Sequence, residues 1–574
     1  MSRRDAPRPS AARDWAGVAL VVVVALAASV AGLPNEFVQD DIGLIRENTR
    51  IHQLGNWREI ISSPYWPPPW HVELYRPLTS LLFAVEYAIG GGGPLVFRIT
   101  SYLLYAGTAL AVLGLAGRLV PRPLAIGVAL LFAAHPVHVE AVAPAVGQSE
   151  LLVGLIAAVM TALYVERRRA GEGLLSTRDW AMLGALYLTA CLAKEQGLLL
   201  PGLLLAAELV LLPWPGWSRA RLLGAGYAVF AVIAVGMVWL RRAVLGGQFA
   251  GNFPAEALEG LGMGGRALTM LRVVPTWARL LFWPSHLQAD YSPGEIVASS
   301  GLGQEEVFGL LVLLSAMAAA WLARKRAPVA TFGLAWMAVA LLPVSNLLIT
   351  TGVVLAERTL FLPSAGFALL LGGLAAPLWS RLQARPAAPR RAVQIALGLL
   401  VLAGTARSAE RHRVWKNDDY FAIRSVGDAP RSYRMQQAYA QVLFKLGYRE
   451  EALAVYREAI AMAPVRHVWR VRNNLASRHL EEGRNDLALQ QLRASLQSDP
   501  SQEQTRQYLT LAYLGLGEYD AAARQADTAL AQGGSPQTFN LLRALADSAV
   551  QVGAPPGSIR IRIHAPTGAT RPRQ

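Results

Sequence analysis

The sequence predicts an all-α protein in which a bundle of helices crosses a membrane about eleven times and an α-solenoid of helical repeats follows. Three observations lead to this prediction. The 574-residue chain is 53% hydrophobic, and its apolar runs are too long and too free of charge for ordinary core helices. Basic residues recur in alternate connections between these runs. After the last run, the chain repeats with a period of about 34 residues.

The apolar segments define the predicted spans. We place them at residues 15–33, 95–117, 122–135, 149–165, 179–193, 197–213, 222–240, 305–322, 330–349, 358–379 and 392–406. Two other apolar segments are left out. Residues 78–90 are too short to span, and residues 266–283 are interrupted by Arg272, Pro275 and Arg279. We interpret the first as a helix lying in the membrane surface and the second as interfacial or re-entrant.

Positive charge sets the predicted orientation, because basic residues near span ends stay in the cytoplasm. With residues 1–14 inside, the basic residues of alternate connections also fall inside, at 118 and 122, 167–169, 219 and 221, 324–326, and 381, 390 and 391. Arg241 and Arg242 are exceptions that fall outside. We interpret the first span as an uncleaved signal anchor. These loops account for much of the net charge of +15, so no nucleic-acid module is predicted.

The region 433–553 is predicted to form three tetratricopeptide-like helix pairs and a cap helix. A glycine ends the first helix of each pair and a small alanine follows five residues later, where the two helices must cross closely: Gly447 with Ala452, Gly483 with Ala488, and Gly517 with Ala522. Residues 409–432 form a linker, and the Pro- and Arg-rich residues 554–574 are predicted to be disordered. The repeats suggest a concave peptide-binding surface, or alternatively a self-packed extension.

Six clusters of polar residues all fall on the outer side of this predicted topology. They are FVQDD, YRP, AHPVHVE, AKEQG, HLQAD and AERTLFLPSAG, at residues 37–41, 75–77, 134–140, 193–197, 286–290 and 356–366. Ionisable groups so close to lipid are costly and usually functional. Their common location predicts a functional site at the outer membrane face.

Asp40 and Asp41 lie just beyond the first span, in the first outer loop at residues 34–94. Two adjacent carboxylates repel each other, so one of them can have a raised pKa and accept a proton from a hydroxyl group. We therefore predict that this pair is catalytic. A solvated loop without function is the alternative.

Arg76, Lys194 and Arg358 are the candidate phosphate-binding residues. A guanidinium group suits a phosphodiester, and all three cations are predicted to lie at the outer face. Lys194 is followed by Glu195, and Arg358 is preceded by Glu357. The combination predicts a cationic pocket for an anionic lipid-linked group. A lipid-headgroup anchor at Arg76 and simple ion pairs at the other positions are the alternatives.

Glu195 and Glu357 are predicted to bind substrate or to supply a second acid. His135, His138 and Glu140 are likewise predicted to form substrate hydrogen bonds or, for Glu140, to supply a second acid. A divalent metal held by these residues and Asp41 is the alternative, although the spacing is not that of HExxH and Pro136 interrupts the helix. The chain has no phosphate-cradling glycine loop and no GxSxG motif. Its single cysteine excludes an internal disulfide and a redox pair.

These motifs resemble those of the C-type membrane glycosyltransferases. The whole chain is similar to a bacterial relative of the transmembrane-and-tetratricopeptide-repeat protein O-mannosyltransferases. The resemblance rests on QDD followed by IRENTRI, on YRPL, on LFAAHPVHVEAV with GQSELL, on AKEQG, and on AERTLFLPSAG, in the family order. It implies a glycosyltransferase domain at residues 15–408 of a multi-pass protein of the bacterial inner membrane. The N-terminus would be cytoplasmic and the repeat domain periplasmic.

The resemblance further implies transfer of a sugar, mannose, from a polyprenyl-phosphate donor to Ser or Thr hydroxyls of proteins, with inversion. Asp40 would be the general base, and Asp41 its neighbour or a metal contact. The repeats would bind acceptor polypeptides. The family's aromatic residue before the acids is Gln39 here, and its Tyr after the AER motif is Phe361. These differences leave the sugar open, as well as which of the two acids acts.

Two other functions also fit the sequence. One is an envelope glycan or lipid glycosyltransferase in which the repeats dock a partner. The other is a non-catalytic membrane-anchored scaffold, in which Asp40→Asn would be harmless while loss of residues 433–574 would not. An O-mannosyltransferase would modify proteins, whereas the envelope glycosyltransferase would modify a glycan or lipid. Detecting the modified molecule therefore distinguishes these two functions.

Overall fold

In the computed structural model, the described residues are 11–68, 73–170, 174–247 and 255–559, with side chains described from residue 15 onward. Most of the predicted cytoplasmic terminus, up to residue 10, lies outside them, as do residues 560–574 of the predicted disordered tail. The chain divides into two units. The membrane unit is Met1–Ala289 with Ala298–Phe421, and the repeat unit is Asp290–Val297 with Ala422–Gln574.

Helices build the membrane unit, as the apolar runs predict. In chain order they are α1 (Ala11–Ser29), α2 (Trp57–Ser62), α3 (Pro77–Gly90), α4 (Pro94–Leu119), α5 (Arg122–Ala133), α6 (Val139–Val142), α7 (Gln148–Ala170), α8 (Thr177–Ala193), α9 (Leu200–Val210), α10 (Trp217–Val244), α11 (Met263–Phe282), α12 (Gln304–Ala323), α13 (Pro328–Leu341), α14 (Phe361–Gln383) and α15 (Ala387–His412). One more helix, α16 (Asp418–Asp428), begins in the membrane unit and ends in the repeat unit.

Seven helices in the described part of the chain are long and apolar enough to cross a membrane. They are Trp15–Gly32, Pro94–Leu119, Ala145–Ala170, Trp217–Val244, Gln304–Ala323, Glu357–Gln383 and Ala387–Trp415. A pair bent by 48°, Arg122–Ala133 with Pro136–Val142, makes an eighth if it is one span. The other predicted spans also hold helices, but α8, α9 and α13 have only 17, 11 and 14 residues. The total of about eleven spans therefore stays a prediction.

The segment between α1 and α4 has a small apolar core of its own. Phe37, Ile45, Tyr65, Phe83 and Phe97 are buried together, which packs α3 and the start of α4 against the residues that follow α1. Helix α3 has 14 residues, so the helix is as short as expected, and its place in the membrane surface stays a prediction. This core fixes the backbone on both sides of the acidic motif.

Helices α13 and α14 approach each other closely through glycine. A Cβ atom on Gly333 would lie 2.4 Å from the carbonyl oxygen of Gly366, and one on Gly366 would lie 2.6 Å from that of Gly333. Next to this crossing, the indole of Trp336 is fully buried and donates a hydrogen bond to the carbonyl of Leu362, 2.9 Å away. The contact holds the N-terminal half of α14, which begins at the AERTLFLPSAG motif.

The repeat unit consists of paired helices. They are α17 (Tyr433–Leu446), α18 (Arg449–Met462), α19 (Val468–Glu481), α20 (Asn485–Ser498), α21 (Glu503–Leu516), α22 (Tyr519–Ala531) and the cap helix α23 (Pro536–Gln551). Gly447, Gly483 and Gly517 have φ of 90°, 74° and 77°, the left-handed conformation that ends a helix. Ala452, Ala488 and Ala522 are fully buried, as expected where two helices cross. After the cap helix, Ala554 accepts a hydrogen bond from the Tyr519 hydroxyl at 3.0 Å.

Replacing Gly333 by alanine is expected to destabilise the membrane unit. The added methyl group would meet backbone atoms at 2.4 Å, and overpacking of this kind costs about 1–3 kcal/mol. Gly236→Ala in α10 is the matched control, because nothing lies within 4 Å of its Cβ position. Thermal unfolding in detergent should give a lower Tm for Gly333→Ala and an unchanged or higher Tm for Gly236→Ala. Equal Tm values would contradict the close crossing.

Candidate active site

The acidic motif lies in a sharp turn after α1. Gln39 has φ of 56°, in the left-handed region that residues other than glycine seldom adopt. Its backbone N–H donates a hydrogen bond to Oδ1 of Asp418 at 2.9 Å, which supports this conformation. A π-helical turn, Ile42–Arg46, follows, and such turns are frequent at functional sites. As a result, Asp40 and Asp41 enter different surroundings.

Asp41 is completely buried and fully engaged by the protein. Its Oδ2 lies 3.5 Å from Nη2 of Arg98, and the N–H groups of Ala145 and Val146 donate to the carboxylate at 3.0 and 2.9 Å. Burial raises the pKa of Asp41 and the charge of Asp40 adds to this, while Arg98 and the two N–H groups oppose it. Asp41 therefore ties the segment after α1 to α4 and to the segment between α6 and α7.

Asp40, in contrast, is exposed to solvent. Its charge acts on the phenol of Tyr65 and on the guanidinium of Arg358, so it lies near one residue of its own loop and one residue of the AERTLFLPSAG motif. A carboxylate with both solvent access and a neighbouring cation is within reach of a substrate. Asp41 lacks the first of these properties.

Arg76 is positioned by Glu195, which lies in the turn after α8. Its Nη2 is 3.0 Å from Oε2 of Glu195, and Nη1 of Arg241 at the end of α10 is 2.8 Å from Oε1 of the same carboxylate. Burial alone would raise the pKa of Glu195, but Arg76 and Arg241 hold it well below its usual range. Glu195 therefore stays ionised and holds two guanidinium groups in place.

Lys194 and Arg358 each pair with a carboxylate that follows α5. Lys194 forms an ion pair with Glu150 in the first turn of α7. Nη1 of Arg358 lies 2.6 Å from Oε1 of Glu140 in α6, and the backbone N–H of Arg358 donates to Oε2 at 3.0 Å. Each cation thus has a fixed direction as well as a charge.

These pairs belong to one group of charges. Asp40, Glu150 and Arg76 all act electrostatically on Arg358, and Arg76 and Glu195 act on Lys194. We call this group the polar cluster; it consists of Asp40, Arg76, Glu140, Glu150, Lys194, Glu195, Arg241 and Arg358. Four of the five residues predicted to be catalytic or phosphate-binding belong to this cluster. The fifth, Asp41, is buried and pairs with Arg98.

The two histidines use both ring nitrogens for contacts with the protein. Nε2 of His135 lies 2.9 Å from the carbonyl oxygen of Leu281, and its Nδ1 accepts a backbone N–H at 3.3 Å. His138 contacts the hydroxyl groups of Tyr105 and Ser364 at 2.9 and 2.7 Å. Both side chains therefore join helices of the bundle at the bend between α5 and α6.

The candidate metal ligands are not assembled as a set. Within the described residues, no group of three or more His, Cys, Asp or Glu side chains is placed to hold a metal ion. Asp41 and Glu140 each have an arginine partner. Glu357 accepts the backbone N–H of Gln288 at 2.6 Å, so it holds the loop after α11.

Glu150, Arg241 and Arg98 were not predicted to belong to the site, although each has a sequence feature that could have indicated it. Glu150 lies in the GQSELL motif. Arg241 is an exception to the predicted distribution of positive charge, and its ion pair with Glu195 explains why. Arg98 falls within a predicted span, where a charged side chain normally has a partner.

The helices and the polar cluster define an integral membrane protein with a helical-repeat unit. The family model for the tetratricopeptide repeat matches residues 433–466. Protein O-mannosyl-transferase TMTC3 from Homo sapiens is 25% identical over 433 residues, covering 70% of this chain and 46% of that protein. Protein O-mannosyl-transferase TMTC4 from Mus musculus is 28% identical over 435 residues, covering 67% and 57%.

A third relative, protein O-mannosyl-transferase Tmtc3 from Drosophila melanogaster, is 25% identical and covers 74% of this chain and 52% of its own length. The resemblance drawn from the motifs is thus confirmed, and homologues of this chain are protein O-mannosyl-transferases. The chain spans about half the length of these curated relatives. The crystal structure of ArnT from Cupriavidus metallidurans in the apo state covers 90% of this chain and 81% of its own, with 18% identity and a TM-score of 0.39.

Replacing the two acids is expected to affect stability very differently. Asp41→Asn leaves Arg98 buried without its carboxylate, and breaking a buried ion pair costs about 3–5 kcal/mol. Asp40→Asn removes an exposed charge and should leave the Tm nearly unchanged. Thermal unfolding in detergent measures both. A larger loss for Asp40→Asn would contradict the structural role given to Asp41.

Proposed function

We propose that the protein is a membrane glycosyltransferase that transfers mannose from a polyprenyl-phosphate donor to Ser or Thr hydroxyls of proteins. One observation supports this most directly. The exposed carboxylate of Asp40 acts electrostatically on Arg358, which belongs to the polar cluster, and its neighbour Asp41 is buried against Arg98. The names of the homologues suggest the sugar and the acceptor.

The cations of the polar cluster suit the donor's phosphate. Arg76, Lys194 and Arg358 come from three motifs and are each oriented by a carboxylate. Fixed positive charge stabilises the negative charge that develops on a departing phosphate, and it needs little reorganisation at the moment of reaction. The lipid-linked phosphate would therefore leave without needing a proton.

Asp40 would act as the general base. It would take the proton of the acceptor hydroxyl as that oxygen attacks the anomeric carbon of the sugar. The bond from the anomeric carbon to the phosphate oxygen breaks, and the polyprenyl phosphate keeps the electron pair. Attack from the face opposite the leaving group inverts the anomeric configuration.

Under this proposal, two parts of the chain would have different functions. Residues 15–408 would carry the transfer reaction at the outer face of a bacterial inner membrane, with the N-terminus in the cytoplasm. The repeats at 433–553 would bind acceptor polypeptides in the periplasm. Paired helices with small buried residues at their crossings are the fold on which such peptide-binding surfaces form.

Asp40→Asn is expected to abolish sugar transfer, because an amide cannot accept the hydroxyl proton. The assay uses purified protein with a panel of polyprenyl-phosphate hexoses and host envelope proteins, and follows the sugar on protein by mass spectrometry. Glu36→Gln, an exposed acid in the same loop, is the matched control and should keep full activity. Full activity of Asp40→Asn would contradict its role as the base. Sugar found on lipid or glycan alone would contradict a protein acceptor.

The affinity for the donor is expected to fall at alkaline pH. Burial lowers the pKa of Lys194 to about 8, although Glu150 opposes this shift. Lys194 is therefore charged below that pH and increasingly neutral above it, so the KM for the donor should rise by up to about tenfold per pH unit. Lys194→Arg keeps its charge and should remove the dependence. An identical pH profile of KM in both proteins would exclude Lys194 from phosphate binding.

A further inference from the structure

Tyr65 has a buried hydroxyl group that makes no hydrogen bond to any residue the structure describes. The residue is 3% exposed, and its Oη makes no hydrogen bond within the described part of the chain. Buried hydroxyl groups normally have a partner, because leaving one unpaired costs free energy. Tyr65 was not among the residues assigned to the site from the sequence.

The surroundings of this hydroxyl are those of the polar cluster. The guanidinium carbon of Arg76 lies 5.1 Å from the centre of the Tyr65 ring. The charges of Arg76, Asp40 and Glu195 all act on the phenol. An anion that pairs with Arg76 would therefore arrive next to the Tyr65 side chain.

Tyr75 provides a contrast within the same loop. The backbone N–H of Tyr65 donates to the carbonyl of Leu74 at 2.7 Å, so the two tyrosines lie on neighbouring stretches of chain. Tyr75 is also buried, but its hydroxyl donates to the carbonyl of Ile61 at 2.8 Å. Within the described part of the chain, the Tyr75 hydroxyl therefore has a hydrogen-bond partner and the Tyr65 hydroxyl has none.

The chemistry of the phenol selects the kind of partner. Burial raises the pKa of Tyr65 well above its usual value, with Asp40 and Asp41 adding to the shift and Arg76 opposing it. The group therefore keeps its proton at physiological pH and can donate a hydrogen bond. A phosphate oxygen is a strong acceptor for it, and charge-assisted hydrogen bonds are among the strongest.

We propose that the Tyr65 hydroxyl donates a hydrogen bond to a phosphate oxygen of the lipid-linked donor, beside Arg76. This inference rests on the proposed function and adds a binding residue to it. The free protein holds an unpaired donor that the phosphate then satisfies.

The two tyrosines should respond oppositely to loss of the hydroxyl. Tyr65→Phe keeps the ring next to Phe83, whose centroid is 6.4 Å away, and removes only a group without a partner. It should leave the Tm unchanged or higher while weakening phosphate binding. Tyr75→Phe loses a satisfied hydrogen bond and should lower the Tm while leaving phosphate binding unchanged.

The test measures binding of farnesyl phosphate to the full-length protein in detergent by isothermal titration calorimetry. A hydrogen bond to a charged group predicts a Kd about 10- to 100-fold weaker for Tyr65→Phe and a Kd like that of the wild type for Tyr75→Phe. Farnesol, which lacks the phosphate, serves as the reference for binding through the isoprenoid chain. Equal Kd values for Tyr65→Phe and wild type, or no binding by the wild type, would overturn the inference.

The experiments on Tyr65 and on sugar transfer can contradict the two proposals separately. If Tyr65→Phe binds farnesyl phosphate like wild type while Asp40→Asn abolishes sugar transfer, the inference about Tyr65 is wrong and the transferase stands. If Tyr65→Phe binds more weakly but no polyprenyl-phosphate hexose is turned over, the phosphate contact stands and the transferase is wrong.

Discussion

A carboxylate taken out of water must be paired or hydrogen-bonded, and the site depends on how Asp41 meets this requirement. Arg98 and the N–H groups of Ala145 and Val146 surround it, so one side chain connects the segment after α1, α4 and the residues before α7. Because Asp41 is held there, the adjacent Asp40 is left at the solvent-exposed side of the same turn. The two acids of one motif are thus in different surroundings, since Asp41 is buried and paired while Asp40 is exposed.

The cations around Asp40 follow the same physical rule. Each has a carboxylate partner from a different part of the chain: Glu195 for Arg76, Glu150 for Lys194 and Glu140 for Arg358. Such pairs reduce the cost of holding several like charges close together near lipid. They also explain why motifs far apart in the sequence meet at one place. The phosphate group of a bound donor would meet cations whose directions are already fixed by these pairs.

Much of the fold could be predicted from residue patterns, because apolar runs and turn glycines report local structure. Helices lie on the predicted apolar segments, and Gly447, Gly483 and Gly517 adopt the conformation that ends a helix. The different surroundings of Asp40 and Asp41 could not be predicted, since they depend on which side of a turn at Gln39 each side chain enters. The same limit applies to Arg241 and Tyr65, whose partners or missing partners are set by tertiary contacts. The short helices α9 and α13 show why span number is harder to predict than helix position.

The central claim is that Asp40, rather than Asp41, faces the reacting sugar. A cryo-EM structure of the protein with bound polyprenyl-phosphate mannose tests it most directly. The account predicts the phosphate among Arg76, Lys194 and Arg358, and the anomeric carbon facing Asp40. An acceptor hydroxyl between them would then lie about 2.6–3.2 Å from the carboxylate. A phosphate bound away from these cations, or an anomeric carbon turned away from Asp40, would contradict the account.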